Sequence, residues 1–167
     1  MVPRPLESLE MNETVEFKKN IKPRDKCFVI DANVGFKWFS SDKEDKVDLA
    51  RKIQFKLTNF EIEVIIPDLF LYEILNALLL KKNFCIDDLI YIKQTIKLMH
   101  INVVFPDEKI FIYAIEIAVN LGLTYYDAIY IAVAEKNDAV LITEDKKILS
   151  HASDYNFIKS LDFINEI

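Results

Sequence analysis

Short apolar runs alternate along this chain with longer stretches whose apolar residues recur every three or four positions. Cys27-Phe28-Val29-Ile30 ends on Asp31, Val64-Ile65-Ile66 is closed by Pro67, and Ile101-Asn102-Val103-Val104-Phe105 is closed by Pro106. A fourth run is Ala139-Val140-Leu141-Ile142-Thr143. Short runs without polar alternation mark strands buried on both faces of a sheet. The stretches between them predict helices near 45–59, 68–82, 86–99, 108–121 and 126–136, a shorter one after Asp145, and a last strand around 157–161. Such alternation predicts an α/β fold, a three-layer α/β/α sandwich around a central, mainly parallel sheet. In sheets of that kind ligands gather beyond the carboxyl ends of the strands.

Before Cys27 the pattern is different. The opening residues are polar, contain Pro3, Pro5 and Pro23, and hold no sustained apolar period. Residues 1–26 are therefore expected to form a mobile or surface-bound N-terminal extension, ahead of one domain over 27–167. A chain of 167 residues that is 51% hydrophobic supports a single substantial core. The charged start, with Arg4, Glu7, Glu10, Glu13, Glu16, Lys18 and Lys19, and the lack of a long apolar run predict neither a signal peptide nor a membrane span, hence a cytoplasmic protein. Cys27 and Cys85 lack a CxxC spacing or a nearby histidine, which excludes a zinc site or disulfide framework and leaves both as buried thiols. His100 and His151 have no partner pattern.

The helix over 69–80 changes the picture, because LFLYEILNALLL is apolar at every position except Glu73 and Asn76. A helix apolar all round is expected to be buried, and a buried carboxylate must be paired, protonated or bound to a cation. Asn76 lies three residues on, where a helix places it beside Glu73. Asp127 opens the apolar segment DAIYIAVA, and Asp145 follows the fourth strand and opens a short helix. For both, a helix-capping role is a sufficient explanation. Asp31 ends the first strand, at the sheet edge where sites form.

If the four acids converge, their mutual repulsion demands compensation, and hard carboxylate oxygens without a Cys/His set suit Mg²⁺ or Mn²⁺ rather than zinc. Metal held there would activate water and stabilise charge on a scissile phosphate. Thr143 is placed to hydrogen-bond a carboxylate or a metal-bound water, or to serve as an ordinary strand threonine. The net charge of −6 argues against a nucleic-acid substrate unless part of it converges on bound cations. Lys37, Lys146 and Lys147 lie near the candidate acids and read either as phosphate contacts or as solvated surface lysines. Trp38, flanked by Phe36 and Phe39, is expected to pack in the core rather than stack a base.

Four segments, in order, resemble the PIN-domain nucleases, and within them the VapC-like toxins of type II toxin–antitoxin pairs. They are Asp31-Ala32-Asn33-Val34 followed by Lys37-Trp38-Phe39, Pro67 through Glu73 and Asn76, Thr124-Tyr125-Tyr126-Asp127-Ala128, and Thr143-Glu144-Asp145. Asn33 stands where Ser is commoner, which keeps the position polar and next to the catalytic acids. The resemblance implies a Mg²⁺- or Mn²⁺-dependent endoribonuclease. Its catalytic and metal-binding residues would be Asp31, Glu73, Asp127 and Asp145, supported by Asn33, Asn76 and Thr143. It also implies an RNA substrate, a homodimer and a small antitoxin partner. Competing readings are an RNA-processing PIN nuclease without an antitoxin, a catalytically silent PIN binding module, and an aspartyl-phosphate phosphohydrolase or receiver domain. The last lacks the second Asp of an Asp-x-Asp signature and leaves Glu73 unexplained.

Overall fold

A computed structural model describes residues 20–81 and 83–167. Five strands, β1 (Cys27–Ile30), β2 (Glu63–Pro67), β3 (Asn102–Val104), β4 (Val140–Ile142) and β5 (Ile158–Lys159), form one sheet in the order β3-β2-β1-β4-β5. Every pairing is parallel. Central β1 and β4 are buried along their whole lengths, as uninterrupted apolar runs require, whereas β3 at the edge is only partly covered. The chain winds outward from β1 to β2 and β3, then returns to the other side of β1 with β4 and β5. The order thus reverses between β1 and β4, and a crevice opens beyond the carboxyl ends of those two strands.

Helices α2 (Val47–Thr58), α3 (Leu69–Leu80), α4 (Ile86–Leu98), α5 (Glu108–Leu121), α6 (Tyr125–Lys136) and α7 (Lys146–Leu149) lie within two residues of the expected bounds. The sequence pattern missed α1 (Ala32–Gly35) and the 3-10 turn Phe36–Trp38, which are too short to carry a period. α6 crosses β1, β2 and β4 and is itself covered by α5, so it is buried on nearly every side. α1 packs on α3 through Gly35, where any Cβ would run into the Phe70 ring and press on Ile74. That close approach brings α3 beside the end of β1.

Two expectations need correction. α3 is apolar all round but not buried all round: Phe70, Ile74 and Leu78 are buried, while Tyr72, Leu79 and Leu80 are exposed. Only one side of the helix meets β2, α1 and α4, and among the described residues no further layer covers the rest. Cys85 is exposed at the start of α4 because it sits at the helix N-cap; Cys27 is buried as expected. Of the N-terminal extension, residues 1–19 lie outside the described residues. The remainder is docked: Ile21 is buried, its amide donates to Asn156 Oδ1 (3.1 Å), and the Arg24 amide donates to the Asp138 carbonyl (2.6 Å). Trp38 is a core residue, its indole N–H donating to the Ala50 carbonyl (2.9 Å) and its ring packed on Phe70. Among the described residues no single helix is long and apolar enough to cross a membrane.

Candidate active site

Asp31 leaves the end of β1 and caps α1, which turns its carboxylate into the crevice between β1 and β4. It is only 6% exposed. Thr143 Oγ1 donates to Asp31 Oδ2 (2.6 Å), as does Asn33 Nδ2 (2.8 Å), and the Asn33 amide donates to Oδ1 (3.3 Å). Thr143 Oγ1 in turn accepts from the Asp145 amide (2.9 Å), and Asn33 Oδ1 accepts from the Glu144 amide (3.1 Å). Asn33 and Thr143 therefore stitch the end of β1 to the end of β4. Burial pushes the Asp31 carboxyl up to about 7; the Thr143 and Asn33 hydrogen bonds oppose that shift, and the negative charges of Glu73 and Asp127 add to it.

Glu73 reaches the same place from α3. It is half-buried, and Tyr130 on α6 donates its hydroxyl to Glu73 Oε2 at 2.5 Å. Burial raises the Glu73 carboxyl above the usual range, Tyr130 pulls it down, and Asp127 pushes it up again. The Tyr130 phenol is held firmly protonated by burial and by the adjacent negative charges of Asp31 and Glu73. It is a donor to Glu73, not an acid.

Asp127 and Asp145 come from helix starts, where their capping explanation holds. Asp127 Oδ2 accepts from the Thr124 amide (3.3 Å) while the Asp127 amide donates to Thr124 Oγ1 (3.2 Å), a reciprocal capping box. Asp145 Oδ1 accepts from the amides of Lys147 (2.8 Å) and Ile148 (3.1 Å). Capping and membership of the site coexist, because Asp31, Glu73, Asp127 and Asp145 all line one cleft of about 410 Å³, with Asn33, Phe36, Glu44, Ile74 and Ala77 among its other walls.

Asn76 does not join them. It is exposed and is not part of the cleft lining, because the face of α3 toward the cleft carries Glu73, Ile74 and Ala77, and Asn76 lies off that face. The residues missed from sequence are Tyr130 and Glu44. Tyr130 is the one hydroxyl-bearing residue in the apolar segment after Asp127, and asking what satisfies Glu73 would have pointed to it. Glu44 lies in a charge-mixed loop that carried no signal. Lys37, expected near phosphate or in solvent, is buried against Glu44 and Asp45 instead.

Whether a divalent cation fits can be judged from the donors. All four are hard carboxylates, and none forms an ion pair with Lys, Arg or His among the described residues. No cation among the described residues compensates their charge, which suits Mg²⁺ or Mn²⁺. Among the described residues no group of three His, Cys, Asp or Glu side chains stands placed to hold a metal ion. The four carboxylates share the cleft without being drawn together, so they would have to close on an ion such as Mg²⁺, with water or substrate oxygen completing its shell.

Residues 28–154 match the family model of the PIN domain. Among solved structures, the fold is similar to PAE2754 from Pyrobaculum aerophilum (TM-score 0.58, 21% identity, covering 83% of this chain and 93% of that one). It is similar to a toxin–antitoxin complex from Klebsiella pneumoniae (TM-score 0.55, 17% identity, 80% of this chain and 96% of that one). It is also similar to VapBC2 from Rickettsia felis, solved bound to a DNA fragment from its promoter (TM-score 0.58, 15% identity, 80% and 98%). No curated protein sequence matches the chain significantly.

Proposed function

This chain belongs to the PIN-domain family of nucleases, and on that premise we propose that it is a Mg²⁺- or Mn²⁺-dependent endoribonuclease and the toxin of a toxin–antitoxin pair. The observation that carries the proposal is the convergence of Asp31, Glu73, Asp127 and Asp145, from four separate elements, on one cleft at the strand-order reversal, with no cation among the described residues paired to them. Two of the similar structures are toxin–antitoxin assemblies, which supports the narrower reading. The same likeness supports a small antitoxin partner, and exposed Tyr72, Phe111 and Tyr126 on neighbouring helices support a homodimer. We place the nuclease domain at 27–167 and the protein in the cytoplasm.

In this mechanism Asp31, Glu73, Asp127 and Asp145 would hold the cation. A divalent ion, when bound, supplies an acidified water and stabilises charge on the scissile phosphate and the leaving oxygen. The protein's own part is positional. Thr143 and Asn33 fix Asp31 so that both its oxygens are already oriented, and the Tyr130 hydroxyl holds Glu73 facing the cleft. Asp127 and Asp145 each cap a helix start through one oxygen, and both residues line the cleft. Pre-oriented ligands of this kind lower the reorganisation needed when charge develops on the phosphate.

The test incubates the purified chain with single-stranded RNA in Mn²⁺ or EDTA, beside Asp31→Asn. Cleavage should require the metal and vanish in the variant; cleavage undiminished in EDTA or in Asp31→Asn would sink the mechanism. Induced expression in bacteria should arrest growth for the wild type and not for Asp31→Asn. Growth arrest by both, or by neither, would remove the toxin reading.

A further inference from the structure

Lys37 leads into the Trp38 core anchor, and the cleavage chemistry above gives it no task. It is not a solvated lysine: its side chain is 5% exposed, and its Nζ lies 3.1 Å from Glu44 Oε2, 3.0 Å from Asp45 Oδ1 and 3.0 Å from the Asp45 carbonyl oxygen. Glu44 has a second cation. Lys81, at the C-terminal end of α3, places Nζ 3.3 Å from Glu44 Oε1, 2.7 Å from the Asp42 carbonyl oxygen and 4.9 Å from the centroid of the Phe36 ring. Glu44 and Phe36 both line the cleft. Behind one wall of an otherwise acidic cleft, two ammonium groups that do not themselves line it therefore share one of its carboxylates.

The two lysines differ in what remains if Glu44 leaves. Lys37 stays buried and keeps Asp45 as a charged partner. Lys81 is 24% exposed and, among the described residues, would retain only a carbonyl oxygen and an aromatic face, both neutral, so its whole charge would be available. A protein of net charge −6 whose cleft holds five carboxylates has a particular need for such a cation if it is to hold a polyanion.

We propose that Glu44 is an electrostatic latch on Lys81: a backbone phosphate of entering RNA displaces Glu44, and Lys81 then positions the substrate strand along the cleft wall. Lys37 anchors the loop that carries Glu44, so the latch returns when the strand departs. Neutral ligands cannot open it, because only an anion compensates Lys81 for the lost carboxylate. The proposal rests on reading the cleft as an RNA-cleaving site.

The test measures binding of a single-stranded oligoribonucleotide to the full chain by fluorescence anisotropy in EDTA, over a series of salt concentrations. Lys81→Gln should weaken binding and lower the slope of log affinity against log salt by about 0.7, the signature of one lost phosphate contact on a single strand. Lys81→Arg should restore that slope. Glu44→Gln keeps an amide oxygen for Lys37 and should tighten binding roughly fivefold, the scale of one partly exposed ion pair. A Lys81→Gln slope equal to wild type, or Glu44→Gln binding no tighter than wild type, overturns the latch. If the wild type cleaves RNA with Mn²⁺ yet these differences are absent, the latch falls alone. A wild-type chain that neither binds nor cleaves RNA overturns the nuclease reading with it.

Discussion

Asp31 and Glu73 form one pair of cleft carboxylates, Asp127 and Asp145 another, and the two pairs are held by opposite means. Asp31 depends on Thr143, which is 112 residues away in sequence, and Glu73 on Tyr130, 57 residues away. Asp127 and Asp145 bond backbone amides no more than three residues from themselves. A capping bond forms whenever its helix forms and helps the helix start. The long-range bonds exist only once sheet and helices have closed, and they hold charge where burial opposes it. The first pair therefore loads the folded state with electrostatic cost, and the second contributes to its stability.

That difference breaks most visibly at Asp31. Its carboxyl is raised to about 7 from the ordinary 3.8, so the folded state binds a proton that the unfolded state has already released across that interval. The associated stability is fully present below about pH 4 and is lost as pH rises through about 7. A shift of this size corresponds to roughly 4 kcal/mol in the metal-free protein. Asp31→Asn should abolish cleavage and at the same time make the metal-free chain more stable than wild type at pH 8, on the order of 2–4 kcal/mol, with no advantage at pH 4. Urea unfolding in EDTA at the two pH values checks this. Adding Mn²⁺ at pH 8 should raise the melting temperature of the wild type and leave that of the variant unchanged. A variant less stable than wild type at pH 8 would show that Thr143 and Asn33 already compensate the buried charge.

The supporting threonine comes next in size. Thr143→Val keeps the strand and the volume but removes the donor to Asp31 and the acceptor for the Asp145 amide, which should cost about 1–3 kcal/mol. It should also push the Asp31 carboxyl still higher and steepen the loss of stability toward neutral pH. The capped side behaves differently. Asp145→Ala should cost about 1 kcal/mol for the lost cap, whereas Asp145→Asn, an equally good cap, should leave thermal stability near wild type and still lower cleavage. At Asp145, charge and fold separate; at Asp31 they trade against each other. Equal stability losses in Asp145→Asn and Asp145→Ala would erase that contrast.

The same contrast explains what could be read from sequence. Strands, long helices and their order were legible because burial on both faces of a parallel sheet imposes uninterrupted apolar runs, and the chain alternates them cleanly with helical periods. Asp31 and Glu73 were legible as acids in apolar surroundings. Asp127 and Asp145 carried a local capping explanation that composition alone could not look past. Asn76 illustrates the opposite failure: helical spacing puts it near Glu73 along the axis, but α3 turns one side to solvent, and nothing in its uniformly apolar sequence says which. Tyr130 and Glu44 act through partners 57 and 37 residues away, and such pairings are written in the closed fold rather than in any window of sequence.

The smallest effect belongs to Tyr130. Its hydroxyl is the one group that favours ionised Glu73 against burial and the nearby charge of Asp127. Tyr130→Phe removes that donor and leaves the ring packed in α6, so the stability cost should stay within about 1.5 kcal/mol. The Glu73 carboxyl, already above its ordinary range, then rises further. If ionised Glu73 is needed to hold the cation, the acid limb of the pH profile of kcat/KM should move to higher pH while the plateau stays close to wild type. Profiles measured for wild type and Tyr130→Phe at saturating Mn²⁺ decide it. An unmoved acid limb would mean that Glu73 owes its charge to bound metal rather than to Tyr130, and the two pairs of carboxylates would then differ in how they fold but not in how they ionise.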